Sequence, residues 1–196
     1  MDEKFLKEMF ERHHANDGGF CRHYMTLYSI ILGMEAKKVL EFGSGFSSKI
    51  ILNALCKTNG ELYTLDMRSF EETSHQYNFN EEEKEAYLPR WKYFQGKSHR
   101  TRRKVSEMLF DVVLHDGSHK CDYVKLELDF VIPRVRNGGV ILVHDTNHPT
   151  LNYNLDKAVE PFKSDHDVCT LPYGYGLTLI TVNNDNPSVD ISWRKE

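Results

Sequence analysis

Short apolar runs alternate with longer amphipathic stretches along most of the chain. The runs KVLEF, ELYTLD, FDVVLH and GVILVH are rich in aliphatic and β-branched side chains, which favours strands. The same criteria predict seven strands, over residues 38–42, 61–66, 91–95, 110–115, 139–144, 168–171 and 177–182. Helical periodicity predicts helices over residues 47–56, 102–109, 123–135 and 156–163, and a short helix near residues 81–87.

The order of these elements predicts how the sheet is built. Strands that alternate with helices form a mostly parallel sheet with helices on both faces. Only residues 172–176 separate the last two predicted strands, which is too short for a parallel crossover. We therefore expect an α/β fold whose seven-stranded, mostly parallel sheet ends in an antiparallel hairpin.

Two helices are predicted before the sheet, over residues 3–14 and 21–34, with a break at residues 16–19. The second has an apolar face at helical spacing, formed by Tyr24, Leu27, Tyr28 and Ile31, which predicts core packing. We expect residues 1–35 to be an N-terminal helical extension and residues 36–196 to form a single globular domain.

Charge and cysteine content indicate which partners and which cellular location are expected. The formal net charge of −4 gives no general attraction to nucleic acids or anionic membranes, and the basic stretch KSHRTRRK is interpreted as a solvated segment. The four cysteines are scattered and form no CxxC pair, as expected for reduced thiols. The charged start MDEKFLKEMFERHH has no apolar region typical of a signal peptide, so a cytoplasmic location is expected.

The first strand runs into a glycine-containing turn, EFGSGFSS, over residues 41–48. Gly43 and Gly45 allow positive φ angles and a close approach to a ligand, and Ser47 or Ser48 is the expected N-cap of the next helix. A dinucleotide-binding turn has a third small residue, usually glycine, where this chain has Ser48, and it rarely has a carboxylate such as Glu41. A cationic sulfonium group would tolerate Glu41 better.

The motifs VLEFGSGFSS, LYTLDM, FDVVLHDGSH and GGVILVHD together resemble the class I S-adenosylmethionine-dependent methyltransferases. The chain most resembles small O-methyltransferases of the macrocin and cephalosporin-biosynthesis type, over roughly residues 36–182. The resemblance implies a Rossmann-like sheet with strand order 3-2-1-4-5-7-6. It also implies S-adenosyl-L-methionine as cofactor, with its methionine end at the first turn, its ribose at Asp66 and its adenine near residues 96–98. The cofactor-binding residues expected on this basis are Glu41, Gly43, Ser44, Gly45, Ser47, Asp66, Met67, Ser98 and Asp116.

Two HDxxH sequences, at residues 115–119 and 144–148, follow the fourth and fifth strands. Neighbouring strands lie about 4.8 Å apart, so Asp116 and Asp145 are expected side by side as possible ligands of a divalent metal ion such as Mg²⁺. The related O-methyltransferases have acids at the positions of Asp116, His144 and Asp145. His144 departs from that pattern, which leaves the identity and the use of a metal open.

General acid–base chemistry is the metal-free alternative at these strand ends. His119 or His144 could remove a proton from an acceptor hydroxyl, so Asp116, His119 and His144 are the candidate catalytic residues. His148, which precedes Pro149, is interpreted as a loop residue. The sequence YGYG at residues 173–176 is interpreted as part of the hairpin turn.

The expected function is methyl transfer from S-adenosylmethionine to a small acceptor, with oxygen as the expected target atom. The N-terminal helices are the expected cover of the acceptor site. The alternatives are a nicotinamide-dependent oxidoreductase, a metal-dependent hydrolase and a non-catalytic binding module. A small-molecule partner is expected, with no nucleic acid or membrane partner, and a homodimer is left open.

Overall fold

The computed structural model describes residues 3–15, 19–74 and 77–184. Within these residues, seven strands form one sheet with the order β3-β2-β1-β4-β5-β7-β6, which confirms the predicted fold class. The strands are β1 (Lys38–Phe42), β2 (Glu61–Asp66), β3 (Trp91–Gln95), β4 (Phe110–His115), β5 (Val135–His144), β6 (Asp167–Leu171) and β7 (Leu177–Thr181). Strands β1 to β5 pair in parallel, whereas β7 pairs antiparallel with both β5 and β6.

Helices cover both faces of this sheet. The α-helices are α1 (Glu3–Ala15), α2 (Tyr24–Gly33), α3 (Phe46–Thr58), α4 (Phe70–Thr73), α5 (Glu81–Tyr87), α6 (Ser98–Thr101), α7 (Cys121–Val131) and α8 (Leu155–Val159). Short 3-10 helices occupy Gly19–His23, Leu88–Arg90, Arg102–Val105, Ile132–Arg134 and Glu160–Phe162. In the described parts of the chain, no helix combines the length and the apolar character needed to cross a membrane.

The alternation of side chains along the strands divides the core into two layers. On one face, Val39 and Val112 pack with helices α2 and α3 in a buried cluster that includes Leu27 and Ile51. On the other face, strand residues including Val113 pack with helices α7 and α8. The strands are therefore buried on both sides, as expected for a parallel sheet, and their carboxyl ends meet along one edge.

Several predicted element bounds were wrong. The helix predicted over residues 102–109 is instead α6 followed by the 3-10 helix Arg102–Val105, and Arg134 Nε donates to the Ser106 carbonyl at 2.8 Å just beyond it. The helix predicted over residues 123–135 ends at Val131, and the 3-10 turn that follows contains Pro133, which lacks an N–H. Strand β5 then begins at Val135 rather than at residue 139.

The start of the chain also departs from the expectation in detail. The helix predicted over residues 21–34 consists of the 3-10 helix Gly19–His23 and then α2. Its predicted apolar face is confirmed, because Tyr24, Leu27, Tyr28 and Ile31 are all buried. Of the predicted break at residues 16–19, residues 16–18 lie outside the described residues, and Gly19 begins the 3-10 helix.

Candidate active site

The turn after β1 is shaped by contact with the turn after β4. Gly43 has a φ of +83°, and a Cβ atom there would lie 2.5 Å from the carbonyl oxygen of Asp116. The amide of Asp116 donates to the Phe42 carbonyl at 3.0 Å, and the amide of Gly43 donates to Leu65 at 2.9 Å. Glycine is therefore required at position 43. Gly45 has an extended backbone, so of these two glycines only Gly43 adopts a positive φ.

Glu41 lies beneath this turn, where it is 1% exposed. Its carboxylate accepts hydrogen bonds from the hydroxyls of Ser47 at 2.7 Å, Ser48 at 2.7 Å and Thr64 at 3.0 Å. Because α3 begins at Phe46, its N-cap is Gly45 and not either serine, and Ser48 Oγ also accepts from the Gly45 amide at 3.4 Å. Burial raises the pKa of Glu41 to about 8, although these hydrogen bonds act in the opposite direction.

Asp66 ends β2 and is held by its neighbours. Its carboxylate accepts from Ser44 Oγ at 2.6 Å and from Arg68, whose Nη2 lies 2.9 Å away. The same Nη2 donates to the Ser44 carbonyl at 2.8 Å. Burial alone would raise the pKa of Asp66, but the hydrogen bonds from Arg68 and Ser44 outweigh it and lower the pKa. Asp66 is thus a buried carboxylate.

A cavity of about 470 Å³, called here the strand-end cavity, lies at the carboxyl ends of β1 to β4. It brings together the predicted residues Asp66, Met67 and Ser98. Met67 is 67% exposed and forms part of the rim. Other lining residues are Gly96, Tyr123 and Glu127.

A second cavity, of about 440 Å³, adjoins the first and is called here the histidine cavity. Its lining includes the turn residues Ser44, Gly45 and Ser47, and the side chains of Phe20, Tyr24, His119, His148, Tyr153 and Tyr175. Gly43, Arg68 and Asp116 line both cavities. A ligand in one cavity would therefore meet a ligand in the other beside Asp116.

Asp116, His144 and Asp145 form a compact cluster at the end of β4 and β5. Each offers one ligand atom, and these atoms all lie within 4.8 Å of one another. Nδ1 of His144 lies 3.0 Å from Asp116 Oδ1 and 3.4 Å from Asp145 Oδ1. The structure thus brings together the two carboxylates that the strand order predicted as neighbours, with an imidazole between them.

The second ring nitrogen of His144 fixes how this cluster can be protonated. Nε2 lies 3.0 Å from the Gly174 carbonyl oxygen, which can only accept, so Nε2 carries a hydrogen. Nδ1 then faces the carboxylates of Asp116 and Asp145. Because carboxylates only accept hydrogen bonds, this arrangement is favourable when Nδ1 carries a second proton or when a metal ion lies between these atoms. Burial alone would lower the pKa of His144, but the interactions with Asp116 and Asp145 outweigh it and raise the pKa.

Asp145 has an unusual backbone and an unusual environment. Its φ is +58°, a left-handed conformation that is uncommon for residues other than glycine and often marks a functional site. Among the described residues, its buried Oδ1 has no hydrogen-bond partner, because the 3.4 Å approach of His144 is an ion-pair contact only. A buried carboxylate oxygen without a donor is the kind of ligand that a cation would use.

His119 is joined to this cluster by the other oxygen of Asp145. Its Nε2 lies 2.6 Å from Asp145 Oδ2, and its ring packs 4.7 Å from the ring of Tyr153. The hydrogen bond with Asp145 raises the pKa of His119, against the effect of burial. His119 is thus a partly exposed imidazole, paired with a carboxylate, in the wall of the histidine cavity.

Other residues at this site were not predicted from the sequence. His23, from the N-terminal 3-10 helix, is fully buried and its Nε2 lies 3.1 Å from the same Gly174 carbonyl that binds His144. Burial, aided by the nearby His144, lowers the pKa of His23 to about 4. His148 was interpreted as a loop residue, and it lies in the loop after β5 but also lines the histidine cavity.

The contact between His23 and Gly174 can be recognised only in the folded chain. The sequence separation between His23 and Gly174 is 151 residues, so no local pattern relates them. The YGYG sequence was a usable signal, because Gly174 has a φ of +57° and a Cβ atom there would lie 2.8 Å from His23 Nε2. Its carbonyl orients a site histidine in addition to forming the hairpin turn.

Known proteins share this architecture. The O-methyltransferase TomG from Streptomyces achromogenes, solved with SAM, is 18% identical, with a TM-score of 0.68 over 94% of this chain and 92% of that chain. An O-methyltransferase from Bacillus cereus, solved with SAH, is 15% identical, with a TM-score of 0.64 over 92% of each chain. At these identities the likeness shows the fold. No curated protein sequence matches the chain significantly.

A larger protein also has this fold. The MycE methyltransferase of the mycinamycin biosynthetic pathway, solved with Mg, SAH and mycinamycin VI, is 19% identical, with a TM-score of 0.57. The match covers 88% of this chain and 51% of that chain. The family described as "Methyltransferase domain" matches residues 40–146, which is more than half of the chain. The matched range contains the end of β1, strands β2 to β5, the glycine turn and the Asp116–His144–Asp145 cluster. The chain therefore belongs to this methyltransferase family, as its sequence motifs predicted.

Proposed function

We propose that the protein transfers a methyl group from S-adenosylmethionine to an oxygen atom of a small acceptor. One observation carries this proposal: the strand-end cavity and the histidine cavity meet at Gly43, Arg68 and Asp116. A nucleoside cofactor in the first cavity and an acceptor in the second would have their reactive ends side by side. S-adenosylmethionine, when bound, supplies an electrophilic methyl group.

The residues of the strand-end cavity fit this cofactor. Asp66 is a buried carboxylate at the end of β2, the position at which a carboxylate accepts from ribose hydroxyls. Ribose hydroxyls would replace the donors that Asp66 now has, namely Ser44 Oγ and the Arg68 guanidinium. The absence of a side chain at Gly43 lets the turn after β4 pack against the turn after β1, and the ligand would lie beside this contact. Glu41 acts from below, through its bonds to Ser47 and Ser48, by fixing the start of α3.

Asp116, His144 and Asp145 fit a divalent metal ion. The imidazole Nδ1 and the two carboxylates converge, Asp145 Oδ1 lacks a donor, and the Nε2–H of His144 is already bonded to the Gly174 carbonyl in the manner of a metal-bound histidine. A divalent ion held there would supply positive charge that lowers the pKa of an acceptor hydroxyl. The two carboxylates suit Mg²⁺ or Mn²⁺, and the imidazole adds a ligand that suits Fe²⁺ or Zn²⁺.

His119 is the proposed general base. Because its Nε2–H donates to Asp145, the lone pair of a neutral His119 lies on Nδ1. That atom can take the proton of an acceptor hydroxyl as the oxygen attacks the methyl carbon. The Asp145 carboxylate stabilises the imidazolium that forms, in the way a carboxylate orients a catalytic histidine. Alignment of the two reactants in adjoining cavities supplies most of the remaining acceleration.

The acceptor would be a small molecule with a flat, apolar part. Phe20, Tyr24, Tyr153 and Tyr175 line the histidine cavity beside the charged cluster. Phe20 and Tyr24 belong to residues 1–35, which supports the expectation that this N-terminal segment covers the acceptor site of the domain formed by the remaining residues. A net charge of −4 supports a partner other than nucleic acid, and a cytoplasmic location remains part of the proposal.

The test is methyl transfer itself. The purified protein is incubated with methyl-labelled S-adenosylmethionine, a panel of small hydroxylated aromatic compounds and either Mn²⁺ or Mg²⁺, and labelled ether product is measured. We expect Asp116→Asn and His119→Ala to lose at least about 100-fold in rate. Asp129→Asn, at an exposed position on α7, is the matched control and should retain full activity. Phosphatase or esterase activity without any methyl transfer would favour the hydrolase alternative instead.

A further inference from the structure

A third cavity, of about 550 Å³, adjoins the histidine cavity and is called here the loop cavity. It is lined largely by the loop after β5, and it shares Asp145, His148 and Tyr153 with the histidine cavity. The rest of its lining includes amides and hydroxyls, from Thr146, Asn147, Thr150, Asn152, Asn154 and Thr170. The space beside the Asp116–His144–Asp145 cluster therefore has two parts, one rich in aromatic side chains and one rich in polar side chains.

His148 lies at the boundary of these two cavities, and its ring is held in place. Its Nδ1 accepts hydrogen bonds from the amides of Leu151 at 3.0 Å and Thr150 at 3.3 Å. The ring packs against Tyr175 and Tyr153, with ring centroids 4.2 Å and 5.2 Å away. A ring nitrogen that accepts has a lone pair, so the ring hydrogen of His148 is on Nε2.

The Nε2–H of His148 is available to a ligand. In the part of the chain that the structure describes, the hydrogen bonds of this half-buried side chain are made by Nδ1 and not by Nε2. Because Nδ1 faces the loop backbone, Nε2 at the other end of the ring points away from the loop, toward the cavities that His148 lines. A donor that loses water without gaining a partner is unfavourable, so this position favours a ligand oxygen with a free lone pair.

His119 presents the opposite kind of group to the same space. Its Nε2 is bonded to Asp145, which leaves the lone pair on Nδ1 for an acceptor hydroxyl. His119 and His148 both pack against Tyr153, with centroids 4.7 Å and 5.2 Å from that ring. One ligand beside Tyr153 can therefore donate a hydroxyl hydrogen to His119 and accept a hydrogen bond from His148.

We infer that His148 is a specificity-determining residue, which donates its Nε2–H to a second oxygen of the methyl acceptor, a carbonyl or ether oxygen. This oxygen joins the flat, hydroxylated part of the acceptor, in the histidine cavity, to a polar and uncharged group in the loop cavity. The acceptor class is thus a hydroxylated aromatic compound with an amide, ester or glycosidic link to a polar group. The inference rests on the proposed function, because it places the acceptor in the histidine cavity.

Three acceptors of equal length test the two parts of the inference. The ethanolamide of protocatechuic acid has the linking carbonyl and a terminal hydroxyl, and dihydroxyphenylbutanol has two methylene groups in place of the amide. The propylamide of protocatechuic acid keeps the amide but has a methyl group in place of the terminal hydroxyl. A donor left without a partner weakens binding by at least about fivefold. We therefore expect the wild type to methylate the ethanolamide with a kcat/KM at least about fivefold higher than that for dihydroxyphenylbutanol, and higher than that for the propylamide.

His148→Asn separates the donor from the structure of the loop. The asparagine oxygen can still accept from the amides of Thr150 and Leu151, but the side chain is too short to place a donor where Nε2 lies. The preference for the ethanolamide over dihydroxyphenylbutanol should fall below about twofold, whereas its preference over the propylamide should remain. His148→Gln, whose amide nitrogen reaches about as far as Nε2, should keep part of the first preference.

His166→Asn is the matched control for these variants. Nδ1 of His166 also accepts from a backbone amide, that of Asn183 at 3.2 Å, but His166 does not line the histidine cavity or the loop cavity. It should keep both preferences of the wild type. A thermal melt followed by circular dichroism establishes that each variant is folded, and NMR of the ring nitrogens of the wild type should show the hydrogen of His148 on Nε2.

The outcomes separate this inference from the proposed function. Equal kcat/KM values for the ethanolamide and dihydroxyphenylbutanol, an unchanged preference in His148→Asn, or a hydrogen on Nδ1 of His148 overturns the inference. A wild-type preference for the propylamide overturns the polar role of the loop cavity. Absence of methyl transfer to all three acceptors, by a protein that binds S-adenosylhomocysteine, overturns the inference alone. Failure to bind S-adenosylhomocysteine overturns the proposed function and, with it, the inference.

Discussion

Replacing Gly43 by alanine would test whether the turn after β1 is shaped by its contact with β4. The φ of +83° is a conformation that a residue with a Cβ atom adopts at a cost of about 1–2 kcal/mol. The added Cβ would also lie 2.5 Å from the Asp116 carbonyl oxygen and 3.0 Å from the Gly117 Cα. Both of these atoms belong to backbone, so the β4 turn as a whole would have to move.

The expected loss of stability has two parts. The left-handed backbone costs about 1–2 kcal/mol, and overpacking against backbone typically costs about 1–3 kcal/mol, so Gly43→Ala should lower the free energy of unfolding by about 2–5 kcal/mol. Gly138→Ala isolates the first part. Gly138 has a φ of +77° with nothing within 4 Å of the added Cβ, so it should lose only about 1–2 kcal/mol.

Urea unfolding of both variants measures these free energies, and calorimetry with S-adenosylhomocysteine measures binding. Because the Asp116 turn is shared by both cavities, Gly43→Ala should weaken binding by at least about 10-fold. Gly138→Ala should bind as the wild type does. Equal losses of stability in the two variants, or wild-type binding by Gly43→Ala, would refute this account of the turn.

Two further predictions concern other parts of the site. Gly174→Ala should weaken Mn²⁺ binding in equilibrium dialysis by about 10- to 100-fold, because the Cβ would lie 2.8 Å from His23 Nε2 and displace the carbonyl that orients His144. Gly33→Ala is the control, since nothing lies within 4 Å of its added Cβ. An unchanged Mn²⁺ dissociation constant in Gly174→Ala would contradict the prediction. Glu41→Gln should change how stability depends on pH. The raised pKa of about 8 means that the folded protein keeps a proton that the unfolded chain releases from about pH 4.5, so the free energy of unfolding should fall as pH rises through this window in the wild type but less in the variant. Urea unfolding at pH 5 and pH 8.5 measures the two slopes, and equal slopes would show that Glu41 does not titrate in this way.

The sheet could be predicted from the sequence because its signals are local. Apolar runs identify the strands, and the short link over residues 172–176 requires a hairpin between β6 and β7. The carboxyl ends of parallel strands meet at one edge, which is why Asp66, Asp116 and Asp145 could be placed together. The strands and the hairpin are predicted from residues near one another in the chain, whereas the strand order that places these three residues together comes from the resemblance to the methyltransferase family.

The errors lie where distant contacts decide the local structure. Ser47 and Ser48 look like N-caps, but α3 already begins at Phe46, and their hydroxyls bond to Glu41 in the preceding strand. The basic segment after β3 forms only α6 and a short 3-10 helix, and Arg134 from another element binds the Ser106 carbonyl just beyond them. Hydrogen-bond partners that lie far apart in the sequence cannot be predicted from hydrophobic periodicity.

The site could be predicted only in part, for the same reason. Arg68 lies two residues beyond Asp66, yet only the fold shows that its guanidinium reaches Ser44 and the boundary between the two cavities. Glu127 occupies one position in an ordinary helical pattern, and nothing in that pattern relates it to His115, whose Nε2 lies 2.6 Å from its carboxylate. This contact depends on α7 packing beside the end of β4.

The central claim is that the strand-end cavity binds S-adenosylmethionine rather than a nicotinamide dinucleotide. Calorimetric titration of the wild-type protein with S-adenosylhomocysteine, and separately with NADH, tests it most directly. We predict saturable binding of S-adenosylhomocysteine at one site per chain, weakened by Asp66→Asn, and no heat of binding with NADH. Binding of NADH without binding of S-adenosylhomocysteine would contradict the claim.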